Sequence, residues 1–265
     1  MEITVSIAQT DVAPGEVARN IERGRSLIAE AAGRGSDLVC FPEMWTTGLG
    51  GTSLYGAAES EAAQKAIGAE AARCALWISS PMLEALPDGS RYNTSFLFAP
   101  DGSIAAAYRK IHLFSPFHEE RSISPGSTLC TADTPWGPSG LSVCYDLRFP
   151  ELFRSCALKG AVIQICSAAF PHPRREHWRI LTRARAIENQ VFMLAANRVG
   201  SENMAAQGSV SFCGASAVID PWGATLAEAH EQECLLSVRI DINVCAQARK
   251  AIPALQNRRP DTYAL

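Results

Sequence analysis

A thiol, a carboxylate and an ammonium each stand at a strand end in this 265-residue chain, and together they form a set suited to acyl transfer. Cys144 closes the apolar run Gly140-Leu141-Ser142-Val143, and Pro150, a favoured first-turn residue, opens a helix just beyond it. Such a strand-to-helix elbow presents a side chain beside free backbone N–H groups. A thiol held there can attack a carbonyl carbon while the N–H groups hold the oxyanion. Glu43 follows the buried run Leu38-Val39-Cys40-Phe41-Pro42, where partial desolvation raises a carboxyl pKa toward the range of a general base. Lys110 follows the strand expected at 103–108. Singly, a packed cysteine, a solvated loop acid and a surface lysine are the ordinary readings of these residues. As a set they make a base, a cation and a nucleophile at strand ends, where α/β proteins gather their sites.

The elements that must position them follow from periodicity. Residues 3–9 alternate with β-branched Ile3, Val5 and Ile7, and predict a strand. Val17, Ile21, Leu27, Ile28 and Ala31 fall at near-helical spacing, and Gly33 and Gly35 end that helix before a strand at 37–41. Strand and helix alternate again through a helix at 61–73 and a strand at 76–80. Later come a helix at 150–159, a strand at 161–167, a helix at 177–188 and a strand at 191–196. Residues 92–99, 103–108, 209–219 and 224–229 predict antiparallel strands. The turns Pro100-Asp101-Gly102 and Asp220-Pro221-Trp222-Gly223 join them into hairpins. The pattern is α/β with mixed sheets, expected as two sheets face to face with helices outside. No low-complexity linker, charge block or internal repeat divides the chain, so residues 1–265 are expected to form a single domain. Within it, the tail Arg249–Leu265 is expected to leave the core and dock on a partner subunit.

Composition narrows the class. Hydrophobic residues make up 47% and charged residues 19%, which is globular, and the formal charge of −3 offers no footprint for nucleic acid or an anionic membrane. The N-terminus lacks a basic and apolar leader, no run approaches the length of a spanning helix, and a cytoplasmic location is expected. Nine cysteines without a CxxC pair point to buried small hydrophobes in a reducing compartment, not to a disulfide framework or a zinc site. His112 and His118, six residues apart and followed by Glu119 and Glu120, lack the rest of a ligand set, so no metal and no other cofactor is expected.

The strings around the three residues resemble the nitrilase superfamily of carbon–nitrogen hydrolases, whose signature is a Glu-Lys-Cys triad. They are Phe41-Pro42-Glu43, Tyr108-Arg109-Lys110-Ile111-His112-Leu113 and Cys144-Tyr145-Asp146-Leu147-Arg148-Phe149-Pro150-Glu151. The segments 183–190, 196–200, Asp220-Pro221-Trp222-Gly223 and 258–261 extend the similarity over nearly the whole chain. The resemblance implies a four-layer α-β-β-α sandwich of two mixed sheets. It implies that Cys144 attacks an amide carbon, that Glu43 takes its proton and later activates water, and that Lys110 with the Tyr145 N–H stabilises the oxyanion. Ammonia leaves and a thioester on Cys144 is hydrolysed.

It also implies a second glutamate shortly before a Pro-Gly. Glu119, seven residues before Gly126, fits best, with Glu120 one step away. Phe117 and Phe170 are candidate pocket walls, and the Gly48–Gly56 loop is a candidate lid. The string after Cys144 is similar to the amidase branch, omega-amidases and deaminated-glutathione amidases, and lacks the Trp-Glu pattern of true nitrilases. The expected substrate is a small linear amide bearing a carboxylate, such as a 2-oxo acid omega-amide. N-carbamoyl amines or amino acids are the alternative within the same chemistry, and a non-catalytic scaffold or a metallophosphoesterase-like hydrolase the alternatives outside it. Arg148, Arg174, Arg175 and Arg198 are candidates to bind the carboxylate. A homodimer or larger homo-oligomer packed through its helix layers is expected, with the helix at 150–159 and the tail as interface elements.

Overall fold

The computed structural model describes residues 1–50, 55–204 and 207–262. The first half of the chain runs β1 (Glu2–Gln9), α1 (Val17–Gly33), β2 (Leu38–Cys40), α2 (Ala57–Cys74), β3 (Trp77–Ala85), β4 (Arg91–Phe98) and β5 (Ile104–Arg109). The second half runs β6 (Thr131–Ala132), β7 (Ser139–Val143), α3 (Pro150–Leu158), β8 (Ile163–Ala168), α4 (Arg175–Asn189) and β9 (Phe192–Asn197). It continues with β10 (Ser201–Met204), β11 (Gly208–Ser211), β12 (Ala217–Ile219), β13 (Thr225–Glu228), β14 (Cys234–Asp241) and α5 (Asn243–Ala251).

Two mixed six-stranded sheets result, in the orders β14-β1-β2-β3-β4-β5 and β13-β12-β9-β8-β7-β6, with β10 and β11 forming a separate hairpin. Strands β1, β2 and β3 pair in parallel, as do β7, β8 and β9, while the other neighbours are antiparallel. The two-residue period of a strand divides β1 between two apolar layers. Ile3, Val5 and Ile7 face Leu141, Val143 and Ile165 of the other sheet. Ala8 joins Val39, Phe41 and Ile78 beneath Ile28 of α1 and Ile67 of α2. Helices α3 and α4 cover the second sheet, packing on β7 and β9. The layering is the expected α-β-β-α sandwich.

Three elements differ from the sequence reading. Residues 209–219 form two strands, β11 and β12, because the chain bends between them. Gly214 and Ala215 both take φ of 56° there, and Ser216 Oγ donates to Asn197 O at 2.9 Å. Strand β14, for which the sequence raised no expectation, pairs with all of β1 and closes the edge of the first sheet. The tail does not leave the core at Arg249. Helix α5 carries Arg249 against the body of the chain, where its guanidinium donates to Ala161 O at 2.5 Å. Gln190 at the end of α4 then donates to Ala248 O and Ile252 O. Residues 263–265 of that expected tail lie outside the described residues.

The loop after β5 is tied to the strand it leaves. Gly126 donates its N–H to Lys110 O at 2.8 Å, and a Cβ added at Gly126 would lie 2.1 Å from Arg109 O. Backbone at that distance has no rotamer by which to yield. Gly126→Ala is therefore expected to lower unfolding free energy by about 1–3 kcal/mol, read by urea denaturation. Wild-type stability in that variant would contradict the close packing of this loop on the Lys110 strand.

Candidate active site

Three strand ends converge between the sheets. Glu43 lies just beyond β2, Lys110 just beyond β5 and Cys144 just beyond β7, and they are 1%, 2% and 8% exposed. Two of these junctions use the left-handed backbone that non-glycine residues rarely adopt: Cys144 itself has φ 47° and Met44, next to Glu43, has φ 50°. At Cys144 the strand turns into one 3-10 turn, Cys144–Arg148, before α3 begins at Pro150. The elbow is held from behind by Asp146. This fully buried carboxylate accepts Val143 N–H at 2.9 Å, Tyr108 O–H at 2.8 Å and His112 N–H at 3.1 Å, and pairs with His112 Nδ1 at 2.7 Å. Burial, reinforced by Asp146, pushes the Tyr108 phenol far up, so Tyr108 stays a donor to that carboxylate.

The centre is an ion cluster. Lys110 Nζ donates to Glu43 Oε1 at 2.8 Å and to Glu119 Oε2 at 2.7 Å. Glu43 Oε2 accepts Ala169 N–H at 2.9 Å, and Glu119 Oε2 accepts Phe114 N–H at 2.8 Å. Asn93 Nδ2 bridges the carboxylates, 2.8 Å from Glu43 Oε1 and 3.3 Å from Glu119 Oε1. Burial opposes the lysine's charge, but Glu119 and Glu43 outweigh it and hold the ammonium pKa well above the usual lysine range. Cys144 is pushed well above an ordinary thiol, first by burial and then by the Glu43 carboxylate with which its side chain interacts. Lys110 opposes that shift. The resting thiol therefore keeps its proton, with the Glu43 carboxylate and the Lys110 ammonium both close enough to act on its charge.

The pocket over this cluster encloses about 680 Å³, its open mouth included. It brings together Glu43, Lys110, Glu119, Cys144, Tyr145, Arg148, Phe117 and Phe170, which all line it. Phe117 meets Phe114 edge to face at 4.8 Å, and Phe114 meets Tyr145 at 5.0 Å, forming one aromatic wall. Glu120 points out, half exposed, with His118 Nδ1 3.6 Å away. Among the described residues no three or more His, Cys, Asp or Glu side chains are grouped to hold a metal ion.

Two of the four candidate arginines drop out. Arg198 is fully buried and committed to Glu202 at 2.7 Å, to Asp11 and to Val12 O. Arg175 is paired with Glu231 at 2.5 Å. Arg148 and Arg174 line the pocket. Of the candidate lid, Leu49 lines the pocket, and Leu49 and Gly50 donate their N–H groups to Glu202. Residues 51–54 lie outside the described residues.

Sequence reasoning missed Asn93, Asp146 and Glu202. The signal available was weak: Asn93 is one of three consecutive polar residues, Asn93-Thr94-Ser95, in a strand between Tyr92 and Phe96, and Asp146 is an acid in the elbow.

A buried thiol on a strand elbow, facing a carboxylate and an ammonium inside a sandwich of two mixed sheets, defines a hydrolase of the acyl-transfer kind. The chain belongs to the carbon–nitrogen hydrolase family, whose sequence profile matches residues 4–250. It is 34% identical over 265 residues to the 2-oxoglutaramate amidase of Bacillus subtilis strain 168, covering 99% of this chain and 100% of that protein. It is also 34% identical to human omega-amidase NIT2, covering 93% of this chain and 91% of that one. A carbon–nitrogen hydrolase from Helicobacter pylori G27 has the same fold, with a TM-score of 0.92 at 28% identity over 99% of this chain and 97% of that one.

Removing the cation tests the electrostatics of the cluster. Lys110→Met leaves two buried carboxylates facing each other, a change expected to cost about 3–5 kcal/mol of stability near neutral pH. Their repulsion is relieved as acid neutralises the pair, so the deficit against wild type shrinks as pH falls toward about 5. Denaturation of both proteins across pH 5–8 reads this, and a pH-independent deficit would contradict the like-charge pair.

Proposed function

We propose that the protein hydrolyses the omega-amide of a small 2-oxo acid through a thioester on Cys144. Cys144 Sγ attacks the amide carbon as Glu43 takes the thiol proton. Lys110 and the Tyr145 N–H stabilise the tetrahedral oxyanion, and an oxyanion donor of this kind contributes about 3–4 kcal/mol. Ammonia leaves with that proton, and Glu43 then activates the water that releases the 2-oxo dicarboxylate. Glu119 fixes Lys110 from the side opposite Glu43.

The observation that carries the substrate reading is a pair of guanidiniums. Arg148 and Arg174 line the same pocket as the thiol, and among the described residues neither has a carboxylate partner. Arg148 has only His177 Nδ1 at 3.3 Å and the Phe170 ring 5.6 Å below it. Two unpaired cations beside an aromatic wall suit a short chain ending in a carboxylate. They disfavour a cationic amine of the N-carbamoyl type, while an N-carbamoyl amino acid retains the carboxylate. The names of the relatives, 2-oxoglutaramate amidase and omega-amidase, support the same reading. A scaffold of this fold has no use for a buried ammonium between two carboxylates.

No helix among the described residues is long and apolar enough to cross a membrane, and we place the reaction in the cytoplasm. Both sheets share one apolar layer, which supports reading residues 1–265 as a single domain. The homo-oligomer reading is supported by exposed Leu158 of α3, Ile180 and Ile187 of α4, Trp222 and Ile252. Ile187 packs against Gly223, and Gln190 holds Ile252 O, so most of these residues gather around α4. Sedimentation equilibrium is expected to return at least twice the chain mass, and a monomer at micromolar concentration would contradict that part of the proposal.

The decisive assay is ammonia release with EDTA present from 2-oxoglutaramate, 2-oxosuccinamate, N-carbamoyl amino acids and simple nitriles. Cys144→Ala is expected to abolish turnover. Arg148→Ala and Arg174→Ala are each expected to raise KM for the 2-oxo acid amide about 10–100-fold, the worth of a charged hydrogen bond, and to leave a neutral amide unaffected. Release confined to N-carbamoyl compounds would overturn the substrate, and an unchanged rate in Cys144→Ala would overturn the mechanism.

A further inference from the structure

Asn93 is fully buried on β4, opposite the strand that delivers the lysine, and it touches the cluster at three points. Its backbone carbonyl accepts Lys110 N–H at 2.9 Å. Its Nδ2 donates to Glu43 Oε1 at 2.8 Å and to Glu119 Oε1 at 3.3 Å, spending both amide hydrogens on two carboxylates. Its Oδ1, turned the other way, has no hydrogen-bond partner among the described residues. A buried amide oxygen left unpaired costs free energy, so this orientation persists only because the donor end is satisfied strongly. The reverse orientation would aim an oxygen at two anions.

The charge count shows what the bridge does. Glu43 and Glu119 share a single cation, Lys110, so with both acids ionised the cluster carries one uncompensated negative charge. Two carboxylates held on one ammonium repel each other, and the Asn93 amide places one further donor on each of them. A Glu43 displaced by that repulsion would be out of place to receive the Cys144 proton. The groups facing the pair are Lys110 after β5, Cys144 after β7, Cys166 of β8, and Tyr145, Arg148 and Arg174 around the pocket. Of these described groups Lys110 alone donates a hydrogen bond to both acids, and it contacts Glu43 and Glu119 through one oxygen each.

We infer that Asn93 is a positioning residue for the reaction, holding Glu43 and Glu119 in register with Lys110 by donating one amide hydrogen to each. The inference rests on the proposal that Glu43 is the base for Cys144. It extends the machinery by one residue and predicts an effect on the base's working pH and little on substrate binding.

The test uses Asn93→Ala and the isosteric Asn93→Asp, with Asn93→Ser if the alanine variant does not fold, and Glu43→Gln as the reference for a lost base. Two pH profiles are taken from pH 5 to 9. One is kcat and KM for ammonia release from 2-oxoglutaramate. The other is the rate of Cys144 alkylation by iodoacetamide, followed on the Cys144 peptide by mass spectrometry, which needs no substrate. In Asn93→Ala, kcat is expected to fall about 10–100-fold with KM within about 3-fold. The acidic limb of both profiles should move upward by about half a pH unit or more. Asn93→Asp, which adds a third carboxylate, should move it further. A folded variant whose acidic limb stays in place in both profiles overturns the inference, as does a rise in KM with the limb unmoved. If wild type releases ammonia from no amide, the functional proposal falls by itself. The alkylation profile then decides the role of Asn93 alone.

Discussion

Lys110 carries its charge almost out of contact with water, and the rest of the structure can be read as the means of making that tolerable. An ammonium buried alone would lose its proton, and one buried against a single carboxylate would recover only part of its hydration. Here it sits between Glu43 and Glu119 at 2.8 and 2.7 Å, and each acid accepts a further backbone N–H, from Ala169 and Phe114. The cluster is thereby fixed before any substrate arrives. A preorganised cation is worth more to a developing oxyanion than a mobile one, because nothing has to reorient during the reaction.

That requirement explains the layout of the sheets. The partners come from sequence positions 43, 93, 110, 119, 144 and 169, and only two sheets packed face to face bring such distant strand ends to one point. Glu43 and Lys110 end strands of the first sheet, Cys144 and Ala169 those of the second. The free N–H groups that the acids need come from Ala169 at the end of β8 and from Phe114 in the loop after β5, just before the 3-10 turn Ser115–Phe117. The left-handed turns at Met44 and Cys144 aim side chains inward where an ordinary strand continuation would carry them past the site. Asp146 holds the second of these turns by binding Val143 N–H, so the strained nucleophile backbone is braced by a buried hydrogen-bond network that includes Tyr108 and His112.

Much of this was legible in the sequence because it is written in local pattern. Alternation of apolar residues placed β1, continuous apolar runs placed β2, β8 and β9, and glycines and prolines placed the turns. The same strand ends marked Glu43, Lys110 and Cys144, and the resemblance to the carbon–nitrogen hydrolases pointed to Glu119, with Glu120 one step away. What was not legible depends on contacts between distant segments. Asn93 reads as one polar residue in a strand until its neighbours at 43 and 119 are known. Strand β14 has half-exposed residues and a charged C-terminal end, and its identity as a strand comes from pairing with β1 more than 220 residues away. Arg198 and Arg174 look alike in the sequence. One is neutralised by Glu202 and Asp11 inside the fold, and the other lines the pocket with no carboxylate partner among the described residues. Burial and charge pairing at that range leave no periodic signal in a single chain.

The central claim is that a neutral, buried Cys144 becomes an acylated one when an amide enters the pocket. It is tested most directly by mixing the enzyme rapidly with 2-oxoglutaramate, quenching in acid and measuring the mass of the intact protein, with the modified residue located by peptide mapping. The account predicts a transient species heavier by the substrate less one ammonia, carried on Cys144 and lost as hydrolysis proceeds. Ammonia released at the full rate with no acyl group on Cys144 at any time would contradict it.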